Sequence, residues 1–521
     1  MKLKRTLAIS LAALSLGGSL AACSAAAVTP KPAASPTPGA VQTNAPAATP
    51  KYVFLFIGDG MSYPQIQSTS DFLGALKDKD YWQAQPSLDD NQGAVLDGPE
   101  YLNFMNFEAA GSAVTYDSNS FAPDSASTAT SISTGHKTYS GSINVDETGS
   151  VAYETIAEQL RDQKDYKIGV ITSVNLNHAT PAAFYAHQAS RSSYYEIGLE
   201  LIDSDFDYFA GGGLLKPTGS KGDQKNLYDL AKTAGYTVAM TNAEAEAVGP
   251  ATGKAILIDE DLADSDALAY ELDRTDDMWS LADYVEKGVE VLDNEKGFFL
   301  MCEGGKIDWA CHANDAASSI HDTKAMADAV QVAIEFAAKH PDETLIVVTG
   351  DHETGGLTIG FAGTDYDTYL DLLESQKISY AKFDSDYVAA YKENKTSFAD
   401  VLKDIETLFG LKAAGEAGDK LVLTDYELEQ LRAAYEKSIN GTAASKYEQE
   451  EYVLYGTYEP LSVTLTHIIN NKAGISFTSY SHTGLPVAVL AQGVGADTFN
   501  GYYDNTQIYV KLAALLGLTA A

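Results

Sequence analysis

Cysteine, positive charge and long apolar runs are all scarce in this chain. Three of its 521 residues are cysteine, and no C-x-x-C pair occurs. The two internal ones, Cys302 and Cys311, are too few for a disulfide framework. Either they pair in an oxidising compartment or they stand as buried thiols. Lysine and arginine number 35 against 72 acidic residues, a formal net charge of −37. Nucleic acid is therefore a poor partner, because binding a polyanion needs a basic footprint. Beyond the N-terminus, no run approaches the roughly 18 apolar residues of a membrane span. No G-x-S-x-G elbow and no Ser-His-Asp arrangement is evident, so a reactive serine would need some other activator.

What is present is a globular composition, 45% hydrophobic and 21% charged. Length alone suggests about three domains, yet large α/β enzymes often run this long as one core with insertions. The first residues stand apart. Lys2, Lys4 and Arg5 precede an apolar stretch, Leu7 to Leu20, and then Ala21-Ala22-Cys23. Residues 1–22 are a secretory signal. The pattern resembles a bacterial lipoprotein signal, which implies that Cys23 is lipidated and leads the mature chain. The expected location is extracytoplasmic, with the membrane reached through the lipid alone. Residues 23–50 follow as a tether rich in Ala, Pro, Thr and Ser, with six prolines between Pro30 and Pro50.

The folded part opens with Tyr52 to Ile57, an apolar run ending in Gly-Asp-Gly. Such a run bounded by glycine reads as a buried parallel strand. Similar runs recur at Lys167–Thr172, Phe298–Cys302, Thr344–Thr349 and Val487–Ala491. Helical periodicity marks Ser150–Gln163, Trp279–Leu292 and Ser318–Ala338. The alternation predicts an α/β fold, a central mostly parallel sheet with helices on both faces. Residues 364–459 differ: acidic, rich in Tyr and Lys, with amphipathic helices at Phe398–Phe409 and Tyr426–Lys437. They read as an inserted cap, leaving 51–363 and 460–521 as the core.

Ligands of such sheets bind at the carboxyl ends of the strands. Polar residues gather there: Asp59 after one strand, Glu303 at another, Asp351-His352 after a third. In Asp124-Ser125-Ala126-Ser127-Thr128-Ala129-Thr130, Asp124 or Ser125 caps a helix. Ser125 then lies where free N–H groups and the helix dipole stabilise an anion. Asp308 and His312 are four apart, on one face if helical. His482 sits in a Ser-His-Thr-Gly loop. Oxygen and imidazole ligands of this kind suit zinc-like ions, and metal would give an acidic chain local positive charge.

Taken in order, GDGMS at 58–62, DSASTAT at 124–130, HATPAAFYAHQASR at 178–191, EGGKIDWACH at 303–312, TGDHET at 349–354 and SHTG at 481–484 resemble the alkaline phosphatase family. The resemblance implies hydrolysis of phosphate monoesters through a phosphoserine on Ser125. It implies a first zinc site of Asp308, His312 and His482, and a second of Asp59, Asp351 and His352, which Ser125 joins. A third ion, magnesium, falls to Glu303, Thr180 and Asp59. Arg191 matches the residue that grips phosphate, and a homodimer is implied. Two positions depart from the best-known bacterial pattern, His178 and Trp309, both expected beside the substrate. They leave open zinc or cobalt in the third site.

Relatives sharing the metal core, such as phosphodiesterases, are the nearest alternative. Arg191 with the Ser125 segment argues against them, since two gripped terminal oxygens favour monoesters. A phosphate-binding lipoprotein is the alternative of another class. It would need no complete set of nucleophile and metal ligands.

Overall fold

The apolar run after the tether forms strand β1, Tyr52–Gly58, buried at every residue. Strand side chains alternate between faces, so a run buried throughout must serve two cores. Val53, Leu55 and Ile57 point into one cluster, with Ala126, Ala129 and Ile132 of the Ser125–Thr134 helix and Leu160 of the Ile156–Lys164 helix. Tyr52, Phe54 and Phe56 point into the other, with Val285 of the Leu281–Leu292 helix and Met326 and Val330 of the Ala316–Lys339 helix.

The computed structural model describes residues 49–84, 95–441 and 449–519. The signal, Cys23 and the tether as far as residue 48 lie outside them. Nine strands join β1 in one sheet: β2 Ala109–Val114, β3 Lys167–Asn175, β4 Tyr208–Gly212, β5 Thr237–Ala239, β6 Ala255–Ile258, β7 Phe298–Gly304, β8 Thr344–Gly350, β9 Val487–Gly493 and β10 Gly501–Asp504. Their order is β10-β2-β9-β8-β1-β7-β3-β4-β6-β5. The sheet is mostly parallel, as expected. The Val487–Ala491 run is a correction: β9 lies antiparallel to both β8 and β2. An apolar run records burial on two faces but not strand direction.

The helix expected at Ser150–Gln163 begins later, at Ile156. Asp146 Oδ1 accepts from the Ser150 and Val151 amides at 2.9 and 3.0 Å, which holds that stretch in a turn. Thr155 and Glu158 then form a capping box that starts the helix. The helices at Leu281–Leu292 and Ala316–Lys339 match expectation to within two residues. In the acidic region, helices run at Phe398–Phe409 and Asp425–Asn440. Phe398, Val401, Ile405 and Leu431 share a third apolar cluster with Leu461 and Leu465 of the Pro460–Ala473 helix and with Phe72. Cys302 and Cys311 are free, buried thiols. Among the described residues, no helix is long and apolar enough to cross a membrane.

Candidate metal centre and nucleophile

Strands β8, β1 and β7 are neighbours in the middle of the sheet and end together, while β3 beside β7 runs on to Asn175. Gly58 at the end of β1 is in register with Gly304 of β7 and Gly350 of β8. Parallel register therefore brings Asp59, Glu303, Asp351 and His352 to one edge, although far apart in sequence. Gly60 takes φ +71°, and a Cβ there would come 2.9 Å from the Asp308 backbone. Only glycine lets the turn after β1 close on that ligand.

Ser125 opens the Ser125–Thr134 helix, and Asp124 is its cap, accepting from the Ser127 amide at 3.1 Å. The helix is built of Ser, Ala and Thr with one Ile, and all ten residues are buried. Side chains this small let it sit tightly against the sheet. Ser125 Oγ lies 3.2 Å from His352 Nε2 and 3.4 Å from Asp59 Oδ1. His352 Nε2 lies 3.2 Å from the same Asp59 oxygen. Asp351 is held by Thr128 Oγ1 at 3.0 Å and the Gly60 amide at 3.2 Å.

A second group adjoins the first. His312 Nε2 lies 3.1 Å from His482 Nε2 and 3.4 Å from Asp308 Oδ1. Asp308 and His312 stand on one face of the Lys306–His312 helix, as their spacing predicts. The chain around His482 pairs with Glu353–Thr354 in a short antiparallel ladder, which sets the His482 ring 3.7 Å from that of His352. Ligand atoms of Asp59, Asp351 and His352 lie within 4.8 Å of one another, and so do those of Asp308, His352 and His482. His352 thus borders both groups.

The donor set fits metal. His312 Nδ1 meets the Tyr480 carbonyl at 2.6 Å, and His482 Nδ1 meets that of Pro123 at 2.5 Å. A ring nitrogen facing a carbonyl carries the proton, so each Nε2 presents a lone pair to the other. Lone pairs this close repel unless a cation lies between them, and carbonyl anchors are how metal-bound histidines are oriented. Glu303 repeats the pattern. Its Oε2 accepts from Thr172, while Oε1 is buried without a partner among the described residues. Thr180 Oγ1 is 3.5 Å from Asp59 Oδ2.

Electrostatics point the same way. Burial, with Asp351, Asp308 and Glu303 nearby, pushes Asp59 well up. Burial first pushes Glu303 and Asp351 up, each to about 7. Burial also acts on Asp308, but His312, His482 and His352 hold it well below the carboxylate range. Carboxyls this crowded need cations if all are to ionise.

The centre opens into a cleft of about 460 Å³ that Ser125, His178, Arg191, Trp309 and His482 help to line. Arg191 Nη1 donates to Asp124 Oδ2 at 2.8 Å. That fixes the fork and leaves Nη2 beside His178 Nε2 at 3.4 Å. Every site residue foreseen within the described chain gathers here. Sequence reasoning missed four others. Lys306 is buried, its ammonium 4.5 Å from the Trp309 ring centre and 4.2 Å from that of Tyr270. Its signal was a lone charge in a glycine-rich segment between two ligands. Asp264, Tyr380 and Tyr458 reach the cleft from loops and from the acidic region, and nothing local marked them.

A buried serine at a helix N-terminus, set among oxygen and imidazole ligands, belongs to metal-dependent hydrolases of anionic esters. Comparison narrows the class. A sequence model described as alkaline phosphatase matches residues 50–518, and the chain belongs to that family. It is 31% identical over 475 residues to alkaline phosphatase 3 of Bacillus subtilis, covering 88% of this chain and 87% of the relative. Alkaline phosphatase 4 of the same organism is 30% identical over 463 residues, covering 87% and 86%. Among solved structures, a cold-active alkaline phosphatase from Shewanella sp. superposes with a TM-score of 0.70 at 29% identity, covering 89% of this chain and 99% of that one. The protein is a metal-binding hydrolase of phosphate monoesters.

Proposed function

We propose that Ser125 is the nucleophile and that hydrolysis passes through a phosphoserine. The reading rests above all on Ser125 Oγ, which stands at a helix N-terminus within 3.4 Å of both Asp59 Oδ1 and His352 Nε2. Divalent ions held by the ligands would supply Lewis-acid charge and lower the pKa of a bound hydroxyl or water. The chain's own groups do the rest. Amide groups of the helix's first turn face incoming anionic oxygens. Arg191, braced by Asp124, offers its free edge to two non-bridging oxygens, which favours monoesters over diesters. His178 flanks that edge. Trp309 adds bulk without positive charge, so product phosphate is held less tightly.

We assign zinc to Asp308, His312 and His482 and to Asp59, Asp351 and His352. Magnesium is assigned to Glu303, Thr180 and Asp59, whose hard oxygens suit it, with zinc or cobalt replacing it if His178 joins the site. Residues 364–459 act as a cap on the catalytic core. The enzyme is an exported lipoprotein held by Cys23 and works as a homodimer. The first test is Ser125→Ala. It should keep its metals and thermal midpoint and lose at least about a thousandfold in kcat. Acid quenching of the parent during turnover should trap phosphate on Ser125. Near-parent kcat in the alanine variant would overturn the covalent mechanism.

A further inference from the structure

The phosphoryl end of a substrate has its place between Ser125 and Arg191, so the leaving group must occupy the rest of the cleft. That remainder is walled by Trp309, Tyr380, Tyr458 and Asp264. We propose that this wall selects monoesters whose alcohol carries a cation, the phosphorylated amino alcohols, phosphocholine above all. The inference rests on the phosphatase reading above and specifies its substrate.

Three aromatic side chains facing one cavity form the kind of surface that binds quaternary ammonium groups, whose charge is drawn to the negative ring faces. The rings are held firmly. Tyr380 and Tyr458 meet edge to face, with centroids 5.7 Å apart and planes at 84°. Tyr270 donates from its hydroxyl to that of Tyr380 at 3.2 Å. Trp309 is partly exposed to the cleft, while Lys306 is buried against its ring.

Charge favours a cation as well. Asp264 is exposed at the mouth, and its carboxylate accepts from the Ser265 hydroxyl at 3.0 Å. Lys306 is buried behind the wall, against Tyr270 and Trp309, and does not line the cleft. The one charged side chain among the four residues of the wall is therefore the Asp264 carboxylate. A second cleft shares Asp264 and is lined also by Asp261, Asp273 and Asp386, with Lys382, paired to Asp386 at 2.9 Å, as the one basic residue among its lining, so acidic groups outnumber basic ones at this rim. A dianionic ester with a plain alcohol meets repulsion there. Phosphocholine offsets its phosphate with a trimethylammonium and presents that end to the acidic rim.

The reaction is unchanged. The Ser125 Oγ–P bond forms as the P–O bond to the amino alcohol breaks, and the proton lost from Oγ is matched by one the departing alkoxide takes from solvent. A water then cleaves the phosphoserine to free phosphate.

The metal-loaded enzyme should be assayed on phosphocholine, on its neutral isostere 3,3-dimethylbutyl phosphate and on p-nitrophenyl phosphate. The inference expects kcat/KM for phosphocholine to exceed that for the isostere by roughly threefold to tenfold at low salt, with the ratio shrinking as salt rises. Asp264→Asn and Tyr458→Leu should each bring the ratio toward one. Reading the ratio within each protein cancels any general loss of activity. A parent ratio of one or less, with p-nitrophenyl phosphate still turned over, overturns the inference and leaves the phosphatase standing. A parent ratio that both variants preserve overturns the assignment to this wall. Failure to cleave any of the three esters would overturn the phosphatase reading itself.

Discussion

Four acidic side chains, Asp59, Glu303, Asp308 and Asp351, are buried in one small volume with Arg191 as the nearest permanent cation. Without metal, folding must pack these charges together or protonate them. Burial raises Glu303 and Asp351 to about 7, against unfolded values of about 4. A carboxyl raised on folding costs nothing below its unfolded pKa, and the cost grows until pH passes the folded value. The metal-free protein should therefore lose stability as pH climbs from about 4 to about 7. The loaded protein should keep a higher midpoint that rises rather than falls from about pH 5 to about 7, because the ions stabilise only the folded state and bind only deprotonated carboxyls and imidazoles. Thermal midpoints of chelated and reconstituted enzyme across pH 5 to 8 check this, and parallel curves would count against it. At this scale the candidate ligands Asp59, Glu303, Asp351 and His352 were legible because each carries its chemistry in its type and sits beside a strand end, whereas Thr180 stood out only through the family resemblance. Lys306 was not, because its partners Tyr270 and Trp309 become neighbours only after folding. The Tyr480 and Pro123 carbonyls, which orient two ligands, belong to backbone that any sequence supplies.

Among the elements, His187 joins two helices. Its ring lies 3.4 Å from Glu158 of the Ile156–Lys164 helix and 3.5 Å from Glu200 of the Tyr194–Asp203 helix. Burial opposes its charge, but the two carboxylates outweigh that and push its pKa up to about 10. A histidine raised on folding contributes fully below its unfolded pKa and loses that contribution as pH rises through the folded one. His187→Gln should cost roughly 1–3 kcal/mol at pH 6. The gap between parent and variant midpoints should narrow from about pH 6.5 to about 10. A gap independent of pH would mean that the ring acts by packing alone. Elements with strong patterns were readable in advance. The run at β1 and the periodicity of Phe398–Phe409 carry their burial in their spacing. Strands β2 and β10 were silent: Ala109–Val114 is small and Gly501–Asp504 is half exposed. Both belong to the sheet because of what lies beside them.

For the whole molecule, the acidic surface and the proposed anchor bear on where the enzyme works. Cys23→Ser should release the protein from the membrane fraction or stop its processing, as fractionation and N-terminal analysis of the mature chain will record. Full membrane retention of a correctly processed variant would point to another anchor. The topology also carries a kinetic consequence. β1 is the first strand of the chain, yet it lies inside the sheet between β7 and β8, which begin only at Phe298 and Thr344. Its apolar backbone has no strand to pair with until more than half of the polypeptide is available. Closing loops of that length is entropically costly, and contacts so remote in sequence slow folding. During the proposed export, a chain built this way emerges unfolded from its N-terminus, and its central strand is the segment most open to aggregation until the remainder arrives.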